Sequence, residues 1–153
     1  MRRPYFPFRQ EDPLPLRHTV ERRVRFEEVD ALGIVWHGRY PSYFEDARAA
    51  LGERYGVGYM DFHKQGVVAP IKRLYVDYHR PLKFQETFTI EGILHWSDAA
   101  RINTEFILRD SRGQVTTTGY TVQVMLDSKE DLLMVPPAFY VEFREQWKTG
   151  ALS

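Results

Sequence analysis

A chain of 153 residues, 43% apolar and 27% charged, fits a single domain able to bury a core of its own. Basic and acidic residues number 21 each, so the basic excess typical of nucleic-acid binders and polybasic membrane proteins is missing. With no cysteine, disulfides, thiolate nucleophiles and Cys-ligated metals are excluded, and no apolar run approaches the ~20 residues of a membrane span.

Residues 1–18 are rich in proline and charge, with Tyr5, Phe6 and Phe8 among them, and read as an extended arm. The aromatics favour packing of this arm on the body or on a partner subunit. Prolines and acids interrupt any apolar stretch there, which does not suit a secretory signal, so a cytoplasmic location is expected. Residues 19–148 form the expected folded domain. Between Thr19 and Phe26, Val20, Val24 and Phe26 alternate with charged residues, as in a half-buried strand. An irregular piece follows from Glu27 to His37. Tyr40, Phe44, Ala47, Leu51 and Tyr55 then recur at helical spacing, with Pro41 suited to the first turn and Gly56 to the end.

From Val67 to Asp127 the pattern alternates as strands. Leu74, Val76 and Tyr78 begin it; Phe88, Ile90, Leu94 and Trp96 continue it, with Gly92 marking a bulge or a close contact. Ile102, Thr104, Phe106 and Leu108 follow, then a turn at Asp110–Gly113 and a last run from Thr118 to Leu126. Short connections predict an antiparallel meander of four strands, and Pro136 and Pro137 predict a short C-terminal helix ending near Trp147. The expected class is α+β, one long helix against a five-stranded antiparallel sheet whose edges invite a partner.

The chemistry concentrates between Asp30 and Tyr40. A carboxylate ends a strand, and a glycine-containing turn leads to a helix N-terminus with unpaired N–H groups. Such donors stabilise an oxyanion, each worth about 3 kcal/mol, so the combination suits acyl transfer. An Asp before a helix also serves as an N-cap or turn residue, and residue types alone leave both readings open.

Asp30, Gly33, Val35, His37, Tyr40, Phe44, Glu45, Ala47 and Arg48 resemble the signature of the 4-hydroxybenzoyl-CoA thioesterase-like branch of the hotdog superfamily, including thioesterases associated with the Tol–Pal system. Val76-Asp77-Tyr78-His79-Arg80-Pro81 resembles a second motif of that branch, and the likeness spans roughly residues 19–145. The resemblance implies a hotdog fold and a homodimer or homotetramer with active sites at the subunit interface. It implies hydrolysis of acyl-CoA, coenzyme A being part of the substrate and no separate cofactor being needed. Asp30 matches the catalytic carboxylate, acting as nucleophile or general base, and the backbone N–H of His37 matches the oxyanion donor. Gly33, Val35, Tyr40 and Glu45 fall at substrate-binding positions.

Individual residues keep alternatives. The His37 side chain orients water, protonates the leaving thiolate or holds Asp30 or the helix start. Tyr40 lines the acyl pocket or belongs to the core. Glu45 is a second carboxylate on the helix or simply the ion-pair partner of Arg48, three residues on. The five histidines lack metal-binding spacing, so no metal is expected. Lys72, Arg73, Arg80 and Lys83 are candidate phosphate contacts or solvated strand charges. An acyl-carrier-protein thioesterase and a non-catalytic acyl-CoA-binding dimer remain as rival functions.

Overall fold

The computed structural model describes residues 4–152, so the first three residues of the expected arm and Ser153 lie outside the described residues. Five antiparallel strands form one sheet: β1 (Leu16–Arg23), β2 (Ile71–Tyr78), β3 (Thr87–His95), β4 (Arg101–Arg109) and β5 (Val115–Val124). Helix α1 (Tyr40–Tyr55) packs across its inner face. Pro41 lies in its first turn, and Gly56 ends it in the left-handed region (φ +74°), donating its N–H to the Gly52 carbonyl. Tyr40, Tyr43, Phe44, Ala47 and Leu51 form the buried stripe, the helical spacing read from the sequence.

Three expectations need correction. The sheet order is β1-β3-β4-β5-β2, so only β3, β4 and β5 make a meander, and β2 lies at the edge beyond β5. Connection 79–86 carries the chain past the start of α1, where Val35 donates its N–H to the Leu82 carbonyl (2.8 Å) and Phe84 to that of Gly33 (3.0 Å). Those bonds hold the loop between two strands that never pair. Strand β1 begins at Leu16 rather than Thr19, because Leu16, Arg17 and His18 already face Leu94, Ile93 and Gly92 of β3. It ends at Arg23, and Val24 instead donates its N–H to the Glu86 carbonyl (2.9 Å). A second helix, α2 (Tyr59–Lys64), was not expected; Asp61 accepts the Gly58 N–H at its start (2.8 Å), and Phe62 is its buried anchor. The C-terminal α3 (Ala138–Lys148) follows Pro137 as predicted.

One cluster of the core lies between α1 and the sheet, with Phe44, Leu82, Phe88, Ile90 and Phe106 at its centre. A second joins Leu51, Phe62, Leu94, Met125, Tyr140 and Trp147 from α1, α2, α3 and the sheet. Phe44 stacks on Phe106 with ring centroids 4.5 Å apart. That stacking needs a flat floor. A Cβ on Gly119 would lie 2.3 Å from the Tyr75 carbonyl oxygen and 2.7 Å from the Phe44 ring. Gly92 faces the Ala47 backbone of α1, where a Cβ would make ordinary van der Waals contact at 3.4 Å from the carbonyl oxygen.

The arm covers the outer face of the sheet. The Tyr5 hydroxyl pairs with Thr118 Oγ1 (2.8 Å) and donates to Asp77 (3.2 Å), while its ring lies 5.0 Å from that of Tyr120. Phe6 lies 5.2 Å from His95 and 5.3 Å from Tyr120. Farther along, Leu14 accepts the Trp147 indole N–H (2.9 Å). Hydrogen bonds from Trp96 and Arg9 hold the Asp98 carboxyl below the usual carboxylate range. Among the described residues no helix is long and apolar enough to cross a membrane.

Replacing Gly119 with alanine forces either the Tyr75 backbone or the Phe44 ring to move. We expect a loss of about 1–3 kcal/mol in stability, the usual cost of overpacking, measurable as a lowered denaturation midpoint.

Candidate active site

Asp30 occupies the tip of a small hairpin just before α1. Val29 and Val35 bridge, and Asp30 donates its N–H to the Ile34 carbonyl (2.9 Å). Gly33 closes the turn at φ +78°, a region that favours glycine, with its N–H on the Asp30 carbonyl (3.0 Å). Asp30 Oδ1 accepts the Leu32 N–H (2.9 Å), so the turn role read from the sequence is present. Oδ2 has no hydrogen bond among the described residues, which leaves half of the carboxylate open to a substrate or water.

The return limb of that hairpin runs straight into a 3₁₀ turn, His37–Arg39, which continues as α1. The first hydrogen-bonded amide there is Arg39, on the Trp36 carbonyl (2.9 Å). The His37 and Gly38 amides come before it and have no intrahelical acceptor, as at any helix start. A Cβ at Gly38 would fall 2.3 Å from the Trp36 ring, so a larger residue there would displace that exposed side chain. Tyr78, at the end of β2, donates its hydroxyl to the His37 carbonyl (2.7 Å) and sets its ring edge-on to Tyr40, 5.1 Å away. Burial holds the Tyr78 phenol above its ordinary pKa, so it remains a donor throughout the neutral range. The bond polarises the peptide between His37 and Gly38 and thereby strengthens Gly38 N–H as a donor.

The remaining predicted residues divide into two places. Gly33 closes the Asp30 turn, while His37 begins the 3₁₀ turn at the end of the return limb, its imidazole exposed and tilted against Trp36 at 5.1 Å. Val35 is buried beneath the hairpin, and Tyr40 is buried in the core, where desolvation raises its pKa. Glu45 lies farther along α1 and forms a two-pronged ion pair with Arg48, one arm at 3.2 Å from Arg48 Nε. The ion-pair reading of Glu45 is therefore present. Glu45 and Arg48 also line a cavity of about 230 Å³ that Asp30 and Tyr40 do not reach. Its apolar wall includes Leu51, Phe62, Val67, Leu94 and Ile102. Lys72, Arg73, Arg80 and Lys83 are exposed. Among the described residues no three histidines or carboxylates gather to hold a metal ion.

Sequence reasoning missed the cavity and the tie from Tyr78 to His37. Only the register of β2 along β5 brings Tyr78 to the start of α1, and no local pattern encodes it.

A five-stranded antiparallel sheet wrapped on one long helix is the hotdog arrangement. The sequence pattern of the thioesterase-like superfamily matches residues 24–144, and the chain belongs to that family. It is 37% identical over 70 residues to the "Putative acyl-CoA thioesterase YneP" of Bacillus subtilis strain 168, a match covering 46% of this chain and 51% of that one. Over 69 residues it is 36% identical to the "Putative esterase" of Aquifex aeolicus strain VF5, covering 45% of this chain and 54% of that one. These matches thus span about half the length of each relative. Among solved structures, the DHNA-CoA thioesterase from Staphylococcus aureus superposes with a TM-score of 0.77 at 25% identity, over 89% of this chain and 92% of that one.

Changing Tyr78 to phenylalanine removes the donor to the His37 carbonyl. The expected stability loss is small, about 0.5–1.5 kcal/mol. Hydrogen exchange at the His37–Arg39 amides should nevertheless accelerate. In the unmodified protein the bond persists below pH ~10 and is lost as pH rises through the raised phenol pKa.

Proposed function

We propose that this protein hydrolyses acyl-CoA thioesters to a carboxylic acid and free coenzyme A, with Asp30 as the catalytic carboxylate. The observation that supports the reading is a half-free carboxylate on a turn whose return limb runs into the unpaired amides at the start of α1. As general base, Asp30 takes a proton from water while the oxygen attacks the thioester carbonyl. The carbonyl oxygen becomes an oxyanion held by the His37 N–H. Collapse then breaks the C–S bond, and the proton passes from Asp30 to the departing thiolate. As nucleophile, Asp30 instead forms a mixed anhydride as the thiolate leaves, and water opens it in a second step. Both routes use the same atoms. The matched residues also favour the 4-hydroxybenzoyl-CoA thioesterase-like branch, and a cytoplasmic enzyme is in keeping with it.

The same proposal includes a homodimer, on its own or paired into a tetramer. Strand β2 is an edge that exposes Ile71, Leu74, Tyr75 and Tyr78. An identical strand paired antiparallel about a two-fold axis would cover it. Such pairing sets the start of one β2, where Val67 and Ala69 line the cavity, beside the end of the other, where Tyr78 holds His37. The carboxylate of one copy then faces the cavity of its partner. An acyl-carrier-protein thioester presents the same pantetheine arm and is the rival substrate.

The test is release of free thiol from short, long and aromatic acyl-CoAs, which a thiol reagent reads cleanly because the protein has no cysteine. Asp30→Asn should lower turnover by about 10²–10⁴-fold, the usual worth of a general base, with the fold intact. Full activity in Asp30→Asn would remove the mechanism. Faster turnover of the same acyl group on the carrier protein would favour the rival.

A further inference from the structure

The cavity beside α1 has a largely apolar wall, with Glu45, Arg48 and His63 on its helical side and two buried polar side chains on its sheet side. Most of the inner sheet face presents Phe88, Ile90, Phe106 and Leu108 to the helix. Toward the cavity it changes to Thr104, Thr121 and Gln123, each at most 2% exposed. Thr104 and Thr121 are register partners on β4 and β5, and Gln123 is the next residue on the same face of β5. Thr104 and Gln123 line the cavity itself.

Their hydrogen bonding is incomplete. Gln123 Nε2 donates to the Ala69 carbonyl (2.7 Å), which fixes the amide's orientation and leaves Oε1 as its free acceptor. Neither Gln123 Oε1 nor Thr121 Oγ1 has a partner among the described residues. Buried acceptors without donors are rare and costly in folded proteins, and one beside a cavity points to something that occupies the cavity. Gln123 itself lines the cavity; Thr121 lies one step along the same face of β5, behind the lining.

Size narrows the occupant. At about 230 Å³ the cavity exceeds the ~150 Å³ of an engineered apolar cavity that admits benzene. A ring or a chain of similar bulk fits, with one polar group to spare. A plain hydrocarbon would cover the wall and leave the acceptors stranded.

We propose that this cavity takes the acyl group of the thioester, and that Gln123, supported by Thr121, selects acyl groups carrying a hydrogen-bond donor such as a hydroxyl. This inference rests on the thioester reading above; it assigns Gln123 and Thr121 to specificity and gives them no part in bond breaking. Glu45 and Arg48, paired with each other, are the charged pair of the same lining.

Matched pairs of coenzyme A thioesters test it: octanoyl with 8-hydroxyoctanoyl, and benzoyl with its ring-hydroxylated counterparts. The wild-type protein should show kcat/KM at least about tenfold higher for the hydroxylated member of one pair, since a site built around a polar group rejects analogues that lack it. Gln123→Met keeps the side-chain bulk and should bring that ratio close to one, chiefly by slowing the hydroxylated member. Because Gln123→Met also loses the bond to Ala69, Thr121→Val serves as the second variant and should lower the ratio with the Ala69 bond in place. Equal rates within both pairs for the wild-type protein overturn the proposal and leave the acceptors to ordered water. Equal slowing of both members in both variants overturns it too. If no thioester releases thiol, the hydrolysis reading fails separately. The same pairs are then titrated calorimetrically: about tenfold tighter binding of a hydroxylated member upholds the assignment of the cavity, and equal binding overturns it.

Discussion

The position of α1 against the sheet depends on how closely the two can approach, and Gly119 sets that distance. Its missing side chain lets the Phe44 ring lie flat between β5 and Phe106. Gly92 faces the Ala47 backbone one turn farther along the helix. With those two contacts fixed, the register of α1 is fixed, and so is the place where its first turn meets the Asp30 hairpin. The hairpin is in turn tied from below by Leu82, whose carbonyl receives the Val35 amide. Core packing thus determines where the half-free carboxylate sits relative to the unpaired amides.

The phenols around the helix start follow the same constraint. Tyr40 and Tyr43 are enclosed by the helix, the hairpin and β3, and desolvation is the main cause of their raised pKa values. They stay neutral across the physiological range and add no charge near Asp30. Tyr78 is only partly enclosed, yet its single bond to the His37 carbonyl connects the edge strand to the helix start. A strand chosen for pairing and a turn chosen for chemistry are thereby coupled through one hydroxyl.

Much of this was legible in the residue pattern. The spacing from Tyr40 to Tyr55, with Pro41 and Gly56 at its ends, gave α1 because helix periodicity and end signals are local properties. Alternation located the strands, and Asp30 with Gly33 located the turn. Strand order was not legible: short connections favoured a simple meander, whereas the loop around Leu82 spends its residues on the helix start. Helix α2 escaped notice because six residues between glycines carry too little periodicity to register. The pairing of Glu45 with Arg48 could be read from their spacing. The unsatisfied state of Gln123 could not, since it depends on Ala69 arriving from a distant part of the chain.

The arm has a consequence for the order of events in folding. Tyr5 finds its partners on β2 and β5, and its contact with Thr118 closes a loop of 113 positions. On a ribosome the arm emerges before every strand of the sheet, and its docking surface includes the last strand to be made. Strand β1 waits as well, for β3. The N-terminal aromatics therefore stay in water until nearly the whole domain has been synthesised, and docking them is a late step that seals a finished sheet.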